Sequence, residues 1–296
     1  MKPKRLIACS VAATLALAGV AASAETPPEG AVPGPALWRV ADEDTTIYLF
    51  GTVHALPQGK EWFDSRIARA FTESAELVTE VDLSDQAKAS ALTQEAGLLG
   101  EGESLRAMMA ESDRQQYEDS LVSLGLPVAA LDRMEPWLAA LTLSLLPLLR
   151  QGYQTDSGVE VALMGRAGDK RRGALETVAE QIALFDGMPR EAQLALLDKT
   201  VEAMPEAKLT LDAMVAEWIE GDALALAELL NAELDDPALY ARLLTQRNAS
   251  WAEWIERRLE QPGTVFVAVG AGHLAGRDSV QEQLAGRELE VERVWQ

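Results

Sequence analysis

The chain contains two histidines, and they stand in the same setting. Gly51-Thr52-Val53-His54 and Gly270-Ala271-Gly272-His273 each put Gly-x-x-His directly after an apolar, strand-like run. Ligands of α/β sheets bind beyond the strand ends, where loops expose side chains to a shared crevice. A glycine lets the chain leave the strand sharply and keeps space beside the backbone for a metal or substrate. Glu80 closes a third strand-like run, residues 75–81. If that strand is parallel to the other two, its carboxylate projects into the same crevice; otherwise it caps a helix or pairs with a cation. Two imidazoles and a carboxylate suit Zn, Mn, Fe or Co and leave a position open for water. Such a metal lowers the pKa of its water to about 7 and polarises a carbonyl. The expected cofactor is one divalent ion (Zn, Mn or Co) on His54, Glu80 and His273, with hydrolysis as the expected chemistry.

Other polar residues have more open roles. Glu176 and Glu180 are four apart with Gln181 following, a spacing that on a helix puts both acids on one face. They could add a metal contact, act as general base, or simply cap a helix starting at Thr177. Arg247, followed by Asn248, could steady an oxyanion or pair with one of the 47 acidic residues. Lys170-Arg171-Arg172 reads as a solvated turn or a binding patch, and Trp251 with Trp254 as core or groove packing. Gly-x-Ser-x-Gly, the P-loop pattern and His-Glu-x-x-His are all absent.

The elements that must carry these residues fall into two groups. Residues 36–40 and 46–50 predict a β-hairpin around the acidic turn at 42–44, and residues 75–81 a third strand. Residues 264–269 form a continuous apolar run of the kind buried on both faces of a sheet, and 289–295 alternate like an edge strand. Between residues 84 and 262 apolar positions recur at helical spacing, over 128–149, 190–203, 209–220, 222–230 and 238–259. The expected fold is therefore α/β: a central mixed sheet from the N- and C-terminal segments, a large and mainly helical insertion over 84–262, and pseudo-twofold Gly-x-x-His halves.

Composition sets the compartment and the partners. Three basic residues, an apolar run at 6–20 and Ala22-Ser23-Ala24 predict a signal peptide over 1–24, cleaved after Ala24. A Pro- and Gly-rich linker at 25–35 follows, and the domain spans 36–296. The protein is thus expected in the periplasm or secreted, with no stable membrane insertion after cleavage. Cys9, inside the leader, is the only cysteine, so a thiol nucleophile, a disulfide and a thiolate metal site are excluded from the mature chain. The formal net charge is −21 and falls further once the basic leader is lost, which argues against nucleic acid as a partner. A peptide or small-molecule substrate is expected.

The segments LFGTVHALP (49–57), ELVTEVDL (76–83), LETVAEQIALF (175–185) and FVAVGAGHLAG (266–276), with Arg247-Asn248 between the last two, resemble the TraB/GumN family. The resemblance runs from about Trp38 to Trp295, in the same order and spacing. It implies an erythromycin-esterase/haem-binding-like fold and kinship with the Tiki proteins, regarded as metal-dependent proteases of extracellular signalling proteins. Carried over by position, it implies metal ligation by His54, Glu80 and His273. It marks Gly51, Gly270, Gly272, Glu176, Glu180, Gln181, Arg247 and Asn248 as recurrent motif positions. A non-catalytic haem, metal or small-molecule binder of this fold is the alternative, as is an accessory factor in envelope or polysaccharide processes.

Overall fold

The computed structural model describes residues 32–295 apart from 83, 85, 232, 233 and 235; the expected signal peptide and most of the linker lie outside them. In chain order the strands are β1 (Leu37–Ala41), β2 (Thr45–Thr52), β3 (Leu56–Pro57), β4 (Glu76–Val81), β5 (Tyr153–Gln154), β6 (Arg171–Glu176), β7 (Gly263–Gly270) and β8 (Glu292–Arg293). The first six helices are α1 (Ser65–Glu73), α2 (Gln86–Gly97), α3 (Glu111–Ser123), α4 (Pro136–Arg150), α5 (Val159–Arg166) and α6 (Val178–Asp186). Then come α7 (Arg190–Ala203), α8 (Ala207–Glu220), α9 (Ala223–Asn231), α10 (Pro237–Tyr240), α11 (Gln246–Leu259) and α12 (Val280–Ala285).

The apolar run of β7 ends up where its composition requires, in the middle of the sheet. It is hydrogen-bonded to β2 on one side and β4 on the other, both parallel to it. The sheet order is β6-β4-β7-β2-β1-β8, with the β1–β2 hairpin antiparallel. Successive β7 side chains feed opposite layers, as the two-residue period of a strand demands. Phe266 and Ala268 enter a cluster with Phe50, Trp62, Phe71 and Trp218. Val265, Val267 and Val269 enter another with Ile47, Leu49, Trp251 and Ile255. A third cluster, built on α3, α4 and α7, is a helical annex lying away from the sheet.

The mixed α/β sheet is present, and four details differ from the sequence expectation. The helix expected over 128–149 starts only at Pro136, the proline taking its first position. Residues 171–176, assigned to the helical insertion, form edge strand β6, parallel to β4. Arg-Arg-Gly-Ala-Leu-Glu has no strong apolar alternation, and its strand state comes from pairing with β4 alone. Of residues 289–295 only Glu292–Arg293 pair, with β1. The helix expected over 238–259 is broken by a π-helical turn, Ala241–Thr245, just before Arg247. No helix among the described residues is long and apolar enough to cross a membrane.

Candidate functional site

The three parallel strands β4, β7 and β2 deliver Glu80 and both Gly-x-x-His loops to the same end of the sheet, where Thr52 lies opposite Gly270. Strand β6 adds Glu176 beside Val81. A cluster of charged and hydrogen-bonding groups is thereby assembled from six separate stretches of chain.

Glu80 sits at its centre. Its Oε1 accepts the Gly270 N–H at 2.7 Å, and its Oε2 accepts Gln181 Nε2 at 2.9 Å and Arg247 Nη2 at 2.6 Å. A Cβ at position 270 would stand 3.1 Å from the same Oε1, so glycine is what lets the carboxylate close on that amide. Burial alone would raise the Glu80 pKa; the Arg247 guanidinium and the Gly270 N–H counter it and hold the carboxyl below its usual range.

Arg247 holds the acids together. Its Nε and Nη2 grip Glu176 in a bidentate pair at 2.8 and 2.9 Å, while Nη1 lies 2.9 Å from His273 Nε2. Its guanidinium stacks 4.7 Å above the Trp251 ring, and Trp251 Nε1 donates to Glu176 Oε1 at 2.9 Å. The π-helical turn inserts one extra residue per turn ahead of α11, which sets the face on which Arg247, Asn248 and Trp251 emerge.

The two histidines differ in exposure and agree in anchoring. His273 is 6% exposed, and its Nδ1 lies 2.6 Å from Asn248 Oδ1. Asn248 Nδ2 donates to the Asp278 carbonyl at 2.8 Å, so the Asn248 oxygen must accept and the ring proton belongs on Nδ1. His273 Nε2 then carries the lone pair and receives the Arg247 N–H. Burial pushes the ring down to about 3, so it is neutral. The His54 side chain is 77% exposed, and its Nδ1 lies 2.6 Å from Glu160 Oε1, which also accepts Thr52 Oγ1 at 2.6 Å. The hydrogen bond and the charge of Glu160 raise His54 to about 9.

Helix α5 clamps the His54 loop by its first turn. Glu160 sits there, Val159 N–H donates to the Val53 carbonyl at 3.1 Å, and a Cβ on Gly158 would fall 2.4 Å from the His54 carbonyl oxygen. That contact is with backbone, so Gly158→Ala must push the loop away. The expected result is a loss of about 1–3 kcal/mol of stability, read from denaturant midpoints, with the His54–Glu160 bond broken.

Of the residues singled out in the sequence, His54, Glu80, Glu176, Gln181, Arg247, Asn248, Gly270 and His273 converge. Gly51 lies beneath, its carbonyl accepting Trp218 Nε1 at 2.9 Å, and Gly272 packs against Leu230. Glu176 and Glu180 do not share a helix face: Glu176 ends β6, whereas Glu180 closes a capping box with Thr177 on the exposed first turn of α6. The chain leaves the strand at Thr177, and this separates the two acids. Glu160 and Trp251 are the site residues that sequence reasoning missed. For Trp251 the signal was its four-residue spacing from Arg247; Glu160 offered only a Gly-x-acid helix start 106 residues from His54.

A metal can be weighed against this geometry. Among the described residues no three His, Cys, Asp or Glu side chains stand grouped so as to hold an ion. The feature that suits one is that each imidazole has Nδ1 tied to an acceptor, the usual arrangement of a metal-ligating histidine, which would direct Nε2 to an ion. Arg247 and a cation would compete for His273 Nε2, and a proton and a cation for His54 Nε2.

An uncharacterized protein of Treponema pallidum (strain Nichols) is 25% identical over 268 residues, spanning 85% of this chain and 80% of its own. The uncharacterized protein YbaP of Escherichia coli (strain K12) is 24% identical over 245 residues, spanning 80% and 87%. No solved structure matches the chain. The family model for TraB/PrgY/gumN matches residues 36–293, which takes in every strand and every residue of the cluster, and the chain belongs to the TraB/PrgY/gumN family.

Proposed function

We propose that this protein is an exported hydrolase of peptide or ester bonds whose site takes one divalent metal ion, Zn, Mn or Co, on His54, Glu80 and His273. The observation that carries the reading is the paired anchoring of the imidazoles. Glu160 on one and Asn248 on the other engage Nδ1, so Nε2 is the atom by which each ring would ligate, on His273 in place of the Arg247 N–H. When bound, the metal would polarise a carbonyl and make water a nucleophile near neutral pH. The chain's own residues do the rest. Glu160 and Asn248 fix ring orientation and tautomer. Arg247, held by Glu176, keeps a positive charge beside the position where negative charge would develop on a substrate oxygen. Trp251, Thr79 and Val269, all buried, form a floor beneath these groups. The basic n-region, apolar run and Ala22-Ser23-Ala24 ending support export to the periplasm or beyond.

A second reading, a binding protein without turnover, draws on one observation: Arg247 already satisfies His273 Nε2, so the cluster is self-consistent without a cation. Metal content, followed by a peptidase and esterase screen of the loaded protein, decides between them. Protein purified from the full-length chain and reconstituted with Zn, Mn and Co is expected to carry one ion per chain by mass spectrometry. His54→Ala and His273→Ala should each lose it while keeping the wild-type circular dichroism spectrum. No ion in the wild type, or an ion retained in both variants, would sink the metallohydrolase reading.

A further inference from the structure

Strand β6 is the outermost strand on its side of the sheet, and its last residue, Glu176, is a member of the cluster. In a parallel pair, alternate residues turn both backbone groups toward one neighbour. The Arg171 N–H donates to the Ala75 carbonyl at 3.0 Å, on the β4 side. Gly173 and Leu175 therefore face β4 as well, and the N–H and C=O groups of Arg172, Ala174 and Glu176 face outward. None of those outward groups takes part in a hydrogen bond among the described residues. An edge of this kind is a template for another strand.

We propose that this edge binds an extended peptide by strand addition and leads it past Glu176 to the cluster. The proposal deepens the hydrolase reading, on which the peptide's identity as substrate rests. An added strand would lie one strand spacing from β6, about 4.8 Å, so its residue opposite Glu176 arrives beside the outermost member of the cluster, and the chain beyond it would turn across the ends of β4 and β7 to reach Glu80 and His273. Main-chain bonds would supply affinity without demanding a particular sequence. Charge selects among occupants. The edge carries the exposed Arg172, next to Lys170 and Arg171, in a chain with 47 acidic and 26 basic residues. A second copy of this chain would bring a strongly repelling net charge, whereas a short segment with acidic side chains meets the basic end of β6.

The test is a substitution that blocks the edge and spares the ladder. The Ala174 N–H points outward, so Ala174→Pro removes no bond to β4, and proline is tolerated at such edge positions. Binding would be followed by fluorescence anisotropy on metal-free protein. The probes are labelled nonapeptides in which Val alternates with Asp, Lys or Ser, plus the Val/Asp peptide N-methylated at alternate amides. The expected result is preferential binding of the Val/Asp peptide and loss of binding on N-methylation. Ala174→Pro should weaken binding about tenfold or more, by the loss of strand-addition bonds. Arg172→Glu should shift preference from the Asp to the Lys peptide. Ala174→Pro should keep the wild-type denaturation midpoint and its rate on a small ester, which needs no strand pairing. Equal binding by wild type and Ala174→Pro, indifference to N-methylation, or no binding of any nonapeptide would overturn the proposal. So would a wild-type dimer that Ala174→Pro converts to monomer, since it assigns the edge to a second copy. Metal content is unaffected by any of these outcomes, so the hydrolase reading stands or falls separately.

Discussion

Arg247→Met is expected to lower the stability of the protein by about 3–5 kcal/mol, the usual cost of removing one partner from a buried ion pair. Two carboxylates depend on this guanidinium. The Arg247 side chain is 12% exposed, Glu176 12% and Glu80 15%, so solvent cannot take over the lost bonds. Methionine fills a similar volume, which keeps the loss electrostatic and not a cavity effect. The pair itself contributes far less than its removal costs, because charges brought out of water are expensive to begin with. That reasoning has a checkable corollary. Adding Glu80→Gln and Glu176→Gln to Arg247→Met should restore a large share of the lost stability, since the stranded charges disappear. Urea denaturation of the wild type, the single and the triple variant measures both. A single variant within about 1 kcal/mol of wild type, small by the scale of ordinary substitutions, would show that Glu80 and Glu176 are not held by Arg247.

Under the proposed metallohydrolase reading, Glu160→Gln is expected to reduce metal affinity and hydrolytic rate by about 10–100-fold, the usual effect of removing a carboxylate behind a metal-ligating histidine. The side chain stays the same length, and its carbonyl oxygen can still accept from Thr52. What changes is the charge that orients His54 and makes its ring more basic. Stability should move little, because the His54 side chain is 77% exposed and its pairing with Glu160 is partly screened. The two readouts separate a positioning role from a structural one. A Glu160→Gln variant that unfolds easily but binds metal normally would assign Glu160 to holding α5 against the sheet instead. Wild-type metal affinity and rate would remove it from the site.

How much of this was legible beforehand varies with the range of the interaction. His54, His273 and Glu80 were visible because each follows a strand-like run, and strand ends point one way once the strands are parallel. Gly270 was visible as a turn residue, while its closeness to the Glu80 carboxylate depended on β4 lying next to β7. Trp251 was read as packing. It does pack, at 2% exposure, but its indole nitrogen also serves Glu176 and its face serves Arg247. Glu160 was missed because nothing local distinguishes an acid in the first turn of α5 from the other acids that begin helices here. For Glu176 and Glu180 the sequence allows either a shared helix face or a cap at Thr177, and four-residue spacing is a helical signal only when the helix already exists at the first residue. Here it starts after Thr177.

The sequence by itself determined the class of fold, the burial of β7 on both faces, most of the helical runs of the middle segment and the identity of the groups able to do chemistry. These follow from local patterns: two-residue alternation, three- and four-residue periodicity, and rare residue types in repeated settings. Tertiary structure alone decided that residues 171–176 become the edge strand and that Glu160 belongs to His54. It also decided that one arginine links Glu80, Glu176 and His273. Each of those pairings joins residues from 26 to 167 positions apart, and no local pattern encodes such a contact. They form because packing two apolar layers against β7 fixes where every strand must end, and the polar groups at those ends then have to satisfy one another.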